Sequence, residues 1–164
     1  KNYWITAIIA TNFDLERYEE LTQAKEGTTK AESLVRYILS NEFDYVVIDG
    51  EAGIEQINRR VMEKVTHLFL ITDPSKKGCQ VINTIKSVAD DLVMYKKLGA
   101  IVNRIPDESV IEYINTGDIP VLSYIPTDSN LAIFDIEGKD ITKLPDDSNV
   151  VEGARKALKE LDIL

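Results

Sequence analysis

The sequence predicts an α/β fold in which a mostly parallel sheet carries helices on both faces. Five short apolar runs recur along the chain, and most of them are continuously apolar rather than alternating, which is typical of strands buried on both sides. Helical patterns separate these runs, so strands and helices alternate as βαβ crossovers require. The predicted strands are Tyr3–Thr11, Tyr45–Asp49, His67–Thr72, Leu98–Asn103 and Ile119–Ile125.

Three amphipathic helices are predicted between and after these strands. The first has an apolar stripe over residues 31–39, and Thr29 and Glu32 are spaced as a capping box at its start. The second stripe covers residues 81–92, and the third covers residues 150–161 at the end of the chain. Residues 135–148 are acidic and rich in turn formers, which predicts a surface connection.

Composition and charge exclude several functional classes. The chain has 164 residues, 44% of them apolar, which predicts a single domain over residues 1–164. A net charge of −9 disfavours binding to nucleic acid or to an anionic membrane surface. The single cysteine, Cys79, excludes a disulfide framework and is predicted to be a small packed residue. The lack of a cysteine pair fits a reducing cytosol, so we expect a cytoplasmic protein. No apolar run is long enough to span a membrane.

The stretch DYVVIDGEAGIE, residues 44–55, carries the main candidate site. Asp49 is the last residue of a predicted strand, and ligands of parallel sheets collect at the carboxyl ends of the strands. A lone carboxylate there suits Mg²⁺, and Gly50 and Gly53 allow the chain to turn closely around a ligand. The spacing is typical of a Walker B aspartate followed by a phosphate-sensing loop. An ordinary strand ending in an Asp-Gly turn is the alternative, and this motif alone leaves both open.

Four ordered blocks of the chain resemble one family, the CooC-type ATPases that mature carbon monoxide dehydrogenase. These ATPases are grouped with the nitrogenase iron protein, MinD and ParA. The resemblance spans roughly residues 40–160 and implies a P-loop NTPase-like fold of the SIMIBI type, with a helix over Lys76–Leu92. The blocks are DGEAGIE at 49–55, LITDPS at 70–75, AIVNR at 100–104 and GDIPVLSYIPTD at 117–128.

The first block implies the phosphate end of an ATP or ADP site. In the family that it resembles, the residue at the position of Asp49 holds Mg²⁺ through a water molecule. The three residues that match Glu51, Ala52 and Gly53 form the switch that reports the γ-phosphate. The resemblance therefore implies that Asp49, Glu51 and Gly53 are the residues closest to the chemistry.

The third and fourth blocks imply the base end of the same site. Asn103 would hydrogen-bond the adenine edge, because a side-chain amide offers both a donor and an acceptor. Arg104 would lie beside it, and Pro126, Thr127 and Asp128 would flank the base. A helix-capping role for Asn103 and a simple surface position for Arg104 are the alternatives.

The chain departs from the family pattern in two places. No G-x-x-x-x-G-K-[ST] motif occurs in the 164 residues, so the phosphate-binding loop of the family, which lies on its N-terminal strand, has no counterpart. We therefore expect these residues alone not to hydrolyse ATP at a useful rate, and, since the chain begins at Lys1, to be the C-terminal portion of a longer ATPase domain. The family's C-x-C metal pair is also missing from Gln23–Thr29.

These observations favour an ATP-dependent conformational switch that acts as a nucleotide-dependent homodimer. The resemblance to CooC implies a role in metallocentre assembly, with nickel insertion into a carbon monoxide dehydrogenase-like client. A non-catalytic interaction module on the same scaffold and a MinD- or ParA-like positioning ATPase are the alternatives. A flavodoxin-like or receiver-like domain is disfavoured, because a receiver needs an acidic pair after its first strand and only Asp14 follows here.

Overall fold

A computed structural model describes residues 45, 47, 65–93 and 95–164. The described part forms a three-stranded parallel sheet in the order β1–β2–β3, which confirms the predicted α/β class. Helix α1 joins the first two strands, and helices α2 and α3 follow the third. The elements are β1 His67–Thr72, α1 Lys76–Leu92, β2 Lys97–Ile105, β3 Val121–Pro126, α2 Ser129–Ile136 and α3 Asn149–Glu160, with two 3₁₀ helices at Glu108–Tyr113 and Ile141–Lys143.

Side-chain alternation along β1 explains why helices cover both faces of the sheet. Leu68 and Leu70 are buried in one apolar cluster together with the inward residues of α1, such as Ile82. Phe69 and Ile71 point the other way and pack against a second cluster that contains Ala157 of α3. Because successive residues of a strand face opposite sides, one apolar run supplies both clusters. The predicted layering of helices on both faces is confirmed.

Several predicted boundaries are confirmed to the residue. The strand His67–Thr72 and the helix Lys76–Leu92 have the predicted bounds, and α3 covers the predicted C-terminal stripe. Helix α1 begins after Ser75, whose side chain accepts a hydrogen bond from the backbone N–H of Gly78 at 2.9 Å. Such a cap satisfies one of the donors that the first turn of a helix leaves free.

The third described strand and helix α2 differ from the prediction. The third described strand begins at Val121 rather than Ile119, because Pro120 has no N–H to donate; its carbonyl still accepts from the backbone N–H of Ala100 at 2.8 Å. Helix α2 was not predicted at all. Its apolar residues surround the helix instead of forming one stripe, and none of its residues is buried, so it lacks the periodicity by which a helix is recognised.

The predicted buried strand Tyr45–Asp49 is wrong at the two positions that the structure describes. Tyr45 and Val47 lie outside any strand, and their exposed fractions are 65% and 43%. The Tyr45 hydroxyl donates to the carbonyl of Ile163 at 3.3 Å, so this residue meets the C-terminal end of the chain. A short apolar run predicts a buried strand only if neighbouring strands and helices cover it, which its composition cannot specify.

The remaining predictions lie outside the described residues. These are the strand Tyr3–Thr11, the helix over residues 31–39 and the loop that follows Asp49. The assignment of residues 1–164 to a single domain also stays a prediction. None of the described helices has the length and hydrophobicity that a bilayer crossing requires.

The packing of α3 on β3 depends on Gly153. A Cβ added at this position would lie 2.4 Å from Ile125 Cγ1. Alanine would gain about 1 kcal/mol of helix propensity over glycine, but overpacking a core contact costs about 1–3 kcal/mol. We expect the overpacking to outweigh the helix propensity, so that Gly153→Ala lowers the free energy of unfolding by up to about 2 kcal/mol in urea titrations. Lys156→Ala, an exposed site on the same helix, should leave it nearly unchanged; a more stable Gly153→Ala protein would contradict this packing.

Candidate functional site

Four of the residues predicted to surround a base lie together at the carboxyl edge of β2 and β3. The two strands are parallel, and Ile105 pairs with Pro126 where they end. The backbone N–H of Thr127 donates to the carbonyl of Ile105 at 3.0 Å and continues this pairing by one residue. We call Asn103, Arg104, Pro126 and Thr127 the base-side edge. The structure therefore brings together residues that are more than 20 positions apart in sequence.

Asn103 does not end its strand, which corrects the prediction. Strand β2 continues to Ile105, and its register with β3 shifts between Val102 and Ile105. At this irregularity Arg104 has a φ of 61°, a left-handed conformation that is uncommon for residues other than glycine. The Asn103 side chain holds it there, since Oδ1 accepts from the backbone N–H of Arg104 at 2.8 Å. Irregularities of this kind redirect side chains at the rims of sheets.

The base-side edge offers the chemistry that an adenine edge needs. Asn103 is half-buried, whereas Arg104, Pro126 and Thr127 are exposed. The Oδ1 atom of Asn103 has one lone pair left for a donor after bonding Arg104, and Nδ2 has no partner among the described residues. An asparagine amide can pair with adenine through one donated and one accepted hydrogen bond. The residues present therefore fit a purine base, with Arg104 as a nearby cation.

Asp128 is buried directly behind this edge, and its carboxylate joins two helices. One oxygen accepts from the backbone N–H groups of Asn130 and Leu131 at 2.9 and 3.1 Å, which caps α2. The other accepts from the Ser148 hydroxyl at 2.5 Å and from the backbone N–H of Val150 at 3.2 Å, at the start of α3. The Ser148 hydroxyl and these backbone donors hold the pKa of Asp128 below its usual value. The carboxylate is thus occupied in fixing the end of β3.

Sequence reasoning missed two residues that support the edge. Ser148 is buried, and its hydroxyl binds Asp128 instead of capping its own helix. Asn149 donates from Nδ2 to the carbonyl of Thr127 at 3.3 Å, so the start of α3 also holds the loop after β3. A serine and an asparagine immediately before an apolar helical stripe are a helix-start signal, which would have predicted a cap here but not its partner across the fold.

The loop after β1 reaches the same side of the sheet. Asp73 accepts from the backbone N–H and the hydroxyl of Ser75, at 2.9 and 2.5 Å. Gly78 allows α1 to approach this loop, because a Cβ there would lie 2.4 Å from Thr72 Oγ1. Lys76 and Lys77 begin α1 and are exposed. Hydrogen bonds between residues of this loop therefore hold its conformation.

The predicted phosphate and metal end lies outside the described residues, since it consists of Asp49, Glu51, Ala52 and Gly53. Within the described part of the chain, no three His, Cys, Asp or Glu side chains lie together in a way that would hold a metal ion. Cys79 is buried as predicted, and burial raises the pKa of its thiol, which disfavours a reactive thiolate.

Sequence comparison connects the chain with ATP-binding proteins. An uncharacterised ATP-binding protein of Methanocaldococcus jannaschii is 27% identical over 127 residues, covering 75% of this chain and 50% of the relative. A second such protein from the same organism is 30% identical over 66% of this chain and 43% of its own length. The carbon monoxide dehydrogenase accessory protein CooC of Rhodospirillum rubrum is 31% identical over 108 residues, or 65% of this chain and 41% of CooC. The chain is similar in sequence to these two ATP-binding proteins and to CooC.

Structural comparison shows that the chain shares the fold of MinD. The cell division ATPase MinD of Pyrococcus furiosus superimposes with a TM-score of 0.59 at 20% identity, covering 82% of this chain and 58% of MinD. The septum site-determining protein MinD of Pyrococcus horikoshii, solved with Mg-ADP, gives 0.59 at 22% identity, covering 82% and 57%. No protein-family profile matches. The chain spans half or less of the length of these curated relatives.

The carboxylate of Asp128 should make the stability of the folded chain depend on pH. Asparagine at 128 can still cap α2, but its amide N–H₂ would face the Ser148 hydroxyl and the Val150 N–H. We expect Asp128→Asn to lower the free energy of unfolding by about 2 kcal/mol at pH 7, as for loss of buried hydrogen bonds to a charge. Because the folded pKa lies below the unfolded value of 3.8, this contribution is complete well above pH 3.8, decreases as the pH falls below 3.8 and is lost once the pH is below the folded pKa.

Urea unfolding followed by circular dichroism at pH 7 and at pH 3 measures this difference. Asp107→Asn is the matched control, since Asp107 caps the first 3₁₀ helix through a bond to the Ser109 N–H but is exposed. Its loss at pH 7 should be much smaller. If the two variants lose equal free energy of unfolding, or if the loss in Asp128→Asn is as large at pH 3 as at pH 7, the Asp128 carboxylate does not join the helices.

Proposed function

We propose that the chain is the C-terminal part of an ATP-dependent conformational switch, in which the base-side edge holds the adenine of ATP or ADP. One observation carries the proposal: Asn103 and Arg104 meet Pro126 and Thr127 at a single edge of the sheet, in a homologue of ATP-binding proteins. Ligands of open parallel sheets bind beyond the carboxyl ends of the strands, which is where this edge lies.

The proposed base contact uses Asn103 in two ways. Its Oδ1 atom, already fixed by the Arg104 N–H, would accept from the adenine amino group, and Nδ2 would donate to a ring nitrogen. A guanine presents a carbonyl where adenine presents an amino group, so the fixed oxygen would repel it. Asp128 supports this contact by holding the loop after β3 through Ser148 and α2.

The phosphate end of the proposed site rests on the sequence. Asp49 would hold Mg²⁺ through a water molecule, and Glu51, Ala52 and Gly53 would change conformation with the γ-phosphate. The P. horikoshii MinD that shares this fold was solved with Mg-ADP, which supports a magnesium nucleotide as the ligand. The chain contains no P-loop motif, so we propose that these 164 residues do not hydrolyse ATP by themselves. Robust magnesium-dependent turnover would contradict this.

The cellular role that we propose follows CooC, which is an accessory protein of carbon monoxide dehydrogenase. The switch would act as a nucleotide-dependent homodimer in the cytoplasm and assist metallocentre assembly in a client enzyme, with nickel as the metal inserted. A positioning role like that of MinD is the alternative supported by the fold. A non-catalytic interaction module would keep the scaffold without the nucleotide, and a lack of nucleotide binding would favour it.

Asn103 is the residue whose replacement tests the base contact. In isothermal titration of Mg-ADP into the longest natural form of the protein, we expect Asn103→Ala to weaken binding about 10-fold or more, since an unpaired base edge costs about 1–3 kcal/mol. Asn103→Asp keeps the oxygen that accepts from Arg104 but loses the donor, and should weaken binding as well.

Asn115→Ala is the matched control, because Asn115 also accepts a backbone hydrogen bond through its side chain, from Gly117 at 2.9 Å, but lies in the turn that precedes β3. The affinity of Asn115→Ala for Mg-ADP should stay within about twofold of that of the parent protein, which is a small difference in binding free energy. If Asn103→Ala is folded by circular dichroism and binds Mg-ADP as tightly as the parent protein, the proposal that adenine binds at this edge is wrong.

A further inference from the structure

Helix α2 and the 3₁₀ helix after it expose an apolar surface that the proposed nucleotide site does not use. Ile133, Ile136 and Ile141 are 48%, 85% and 58% exposed, and no residue of α2 is buried. Ile133 and Ile136 are three residues apart and therefore lie on the same side of α2, and the 3₁₀ helix that carries Ile141 contacts α2. We call these three isoleucines the α2 patch. Single exposed apolar residues are ordinary, whereas neighbouring ones mark interaction sites.

The backbone around the α2 patch is fixed by its own hydrogen bonds. After α2 the chain reverses at Gly138, which has a φ of 62°. The N–H groups of Gly138 and Lys139 return to the carbonyls of Asp135 and Phe134, at 3.2 and 2.8 Å, in the Schellman arrangement. Asp140 then caps the 3₁₀ helix by accepting from the Thr142 N–H at 3.0 Å. The patch is therefore presented by a preorganised segment, which lowers the entropic cost of binding.

The charge around the α2 patch indicates its partner. Residues 135–147 contain five acids and two lysines, a net charge of −3, within a chain whose net charge is −9. The acids are exposed, and Lys139 is paired with Glu137 and lies 5.4 Å above the Phe134 ring. A second copy of the chain would bring an equally acidic surface, and anionic lipid would be repelled in the same way. An apolar surface with an acidic rim is complementary to a cationic apolar partner.

We propose that the α2 patch binds a basic amphipathic helix of a partner protein. The apolar stripe of that helix would cover Ile133, Ile136 and Ile141, and its flanking lysines and arginines would meet Asp135 and Asp147. This is the helix-in-groove mode of recognition, in which apolar residues at helical spacing supply affinity and charges set the orientation. Helix α2 begins directly after Asp128, so the bound partner would lie next to the base-side edge.

A defined peptide pair tests the proposal without any nucleotide, so its outcome is independent of the proposed ATP site. The probes are an amphipathic helix of about 18 residues built from leucine and lysine, and the same helix with glutamate in place of lysine. Fluorescence anisotropy of labelled peptides with the full chain should show binding of the lysine peptide alone. The affinity should fall as salt is raised, because the attraction is partly electrostatic.

Two patch variants and one control separate specific docking from general attraction to an acidic protein. Ile133→Asp and Ile136→Asp leave the charge more negative but remove apolar contact, and each should weaken binding about 10-fold or more. Tyr113→Asp adds the same charge at another exposed apolar residue, 80% exposed on the first 3₁₀ helix, and should not weaken binding. Asp135→Asn with Asp147→Asn should weaken binding and reduce its dependence on salt.

Three results would overturn the proposal. The first is equal binding of the lysine peptide by Ile136→Asp and by the parent protein, with both folded by circular dichroism. The second is a dimer in light scattering that dissociates on Ile136→Asp, which would make a second copy the occupant. The third is binding to vesicles of anionic phospholipid that is lost in the same variant, which would make the occupant a membrane.

Discussion

The described edge of the sheet depends on the hydrogen bonds that the carboxylate of Asp128 accepts. The carboxylate lies where β3 ends and accepts four hydrogen bonds, two from the first turn of α2 and two from the start of α3. A buried carboxylate is costly unless donors compensate it, and here each oxygen has two. Because α3 in turn packs on β3 through the close contact at Gly153, one residue fixes both the loop after β3 and the helix that covers the sheet.

That constraint gives the proposed site its geometry. The parallel register brings the end of β2 to Thr127, and at the irregular register the Asn103 side chain accepts a hydrogen bond from the Arg104 N–H. The left-handed backbone of Arg104 costs roughly 1–2 kcal/mol. Strained conformations of this kind cluster at functional sites of folded proteins. The similarity to ATP-binding proteins supports the proposal that this edge of the sheet binds a nucleotide.

Local patterns predicted the central elements well and the connections poorly. The strand His67–Thr72 was predicted to the residue from its apolar run, and the apolar stripe over residues 81–92 predicted the C-terminal part of α1, because burial requires such patterns. The full bounds Lys76–Leu92 came from the family resemblance. Helix α2 has no such stripe, since its apolar residues are not buried, and it was therefore not predicted. The end of β2 was misplaced for a different reason: the bond from the Arg104 N–H to Asn103 lets the strand pass its polar residue and continue to Ile105.

The candidate site likewise has a part that the sequence predicted and a part that it did not. The order of the sequence blocks predicted that Asn103 and Pro126 share an edge, because parallel strands end on one side of a sheet. The partnership of Asp128 with Ser148 spans 20 residues and joins two helix starts, a relation that no short pattern contains. Residues 49–53 remain a sequence prediction, so the phosphate end of the site rests on the resemblance alone.

Titration of the ¹⁵N-labelled chain with adenosine, followed by NMR, tests the central claim most directly, because it probes the base contact without phosphate or metal. The account predicts shifts of the Asn103 side-chain amide and of the Arg104 and Thr127 backbone amides, with guanosine producing smaller shifts at the same concentration. Shifts confined to other parts of the chain, or equal shifts with guanosine, would contradict the assignment of this edge to an adenine base.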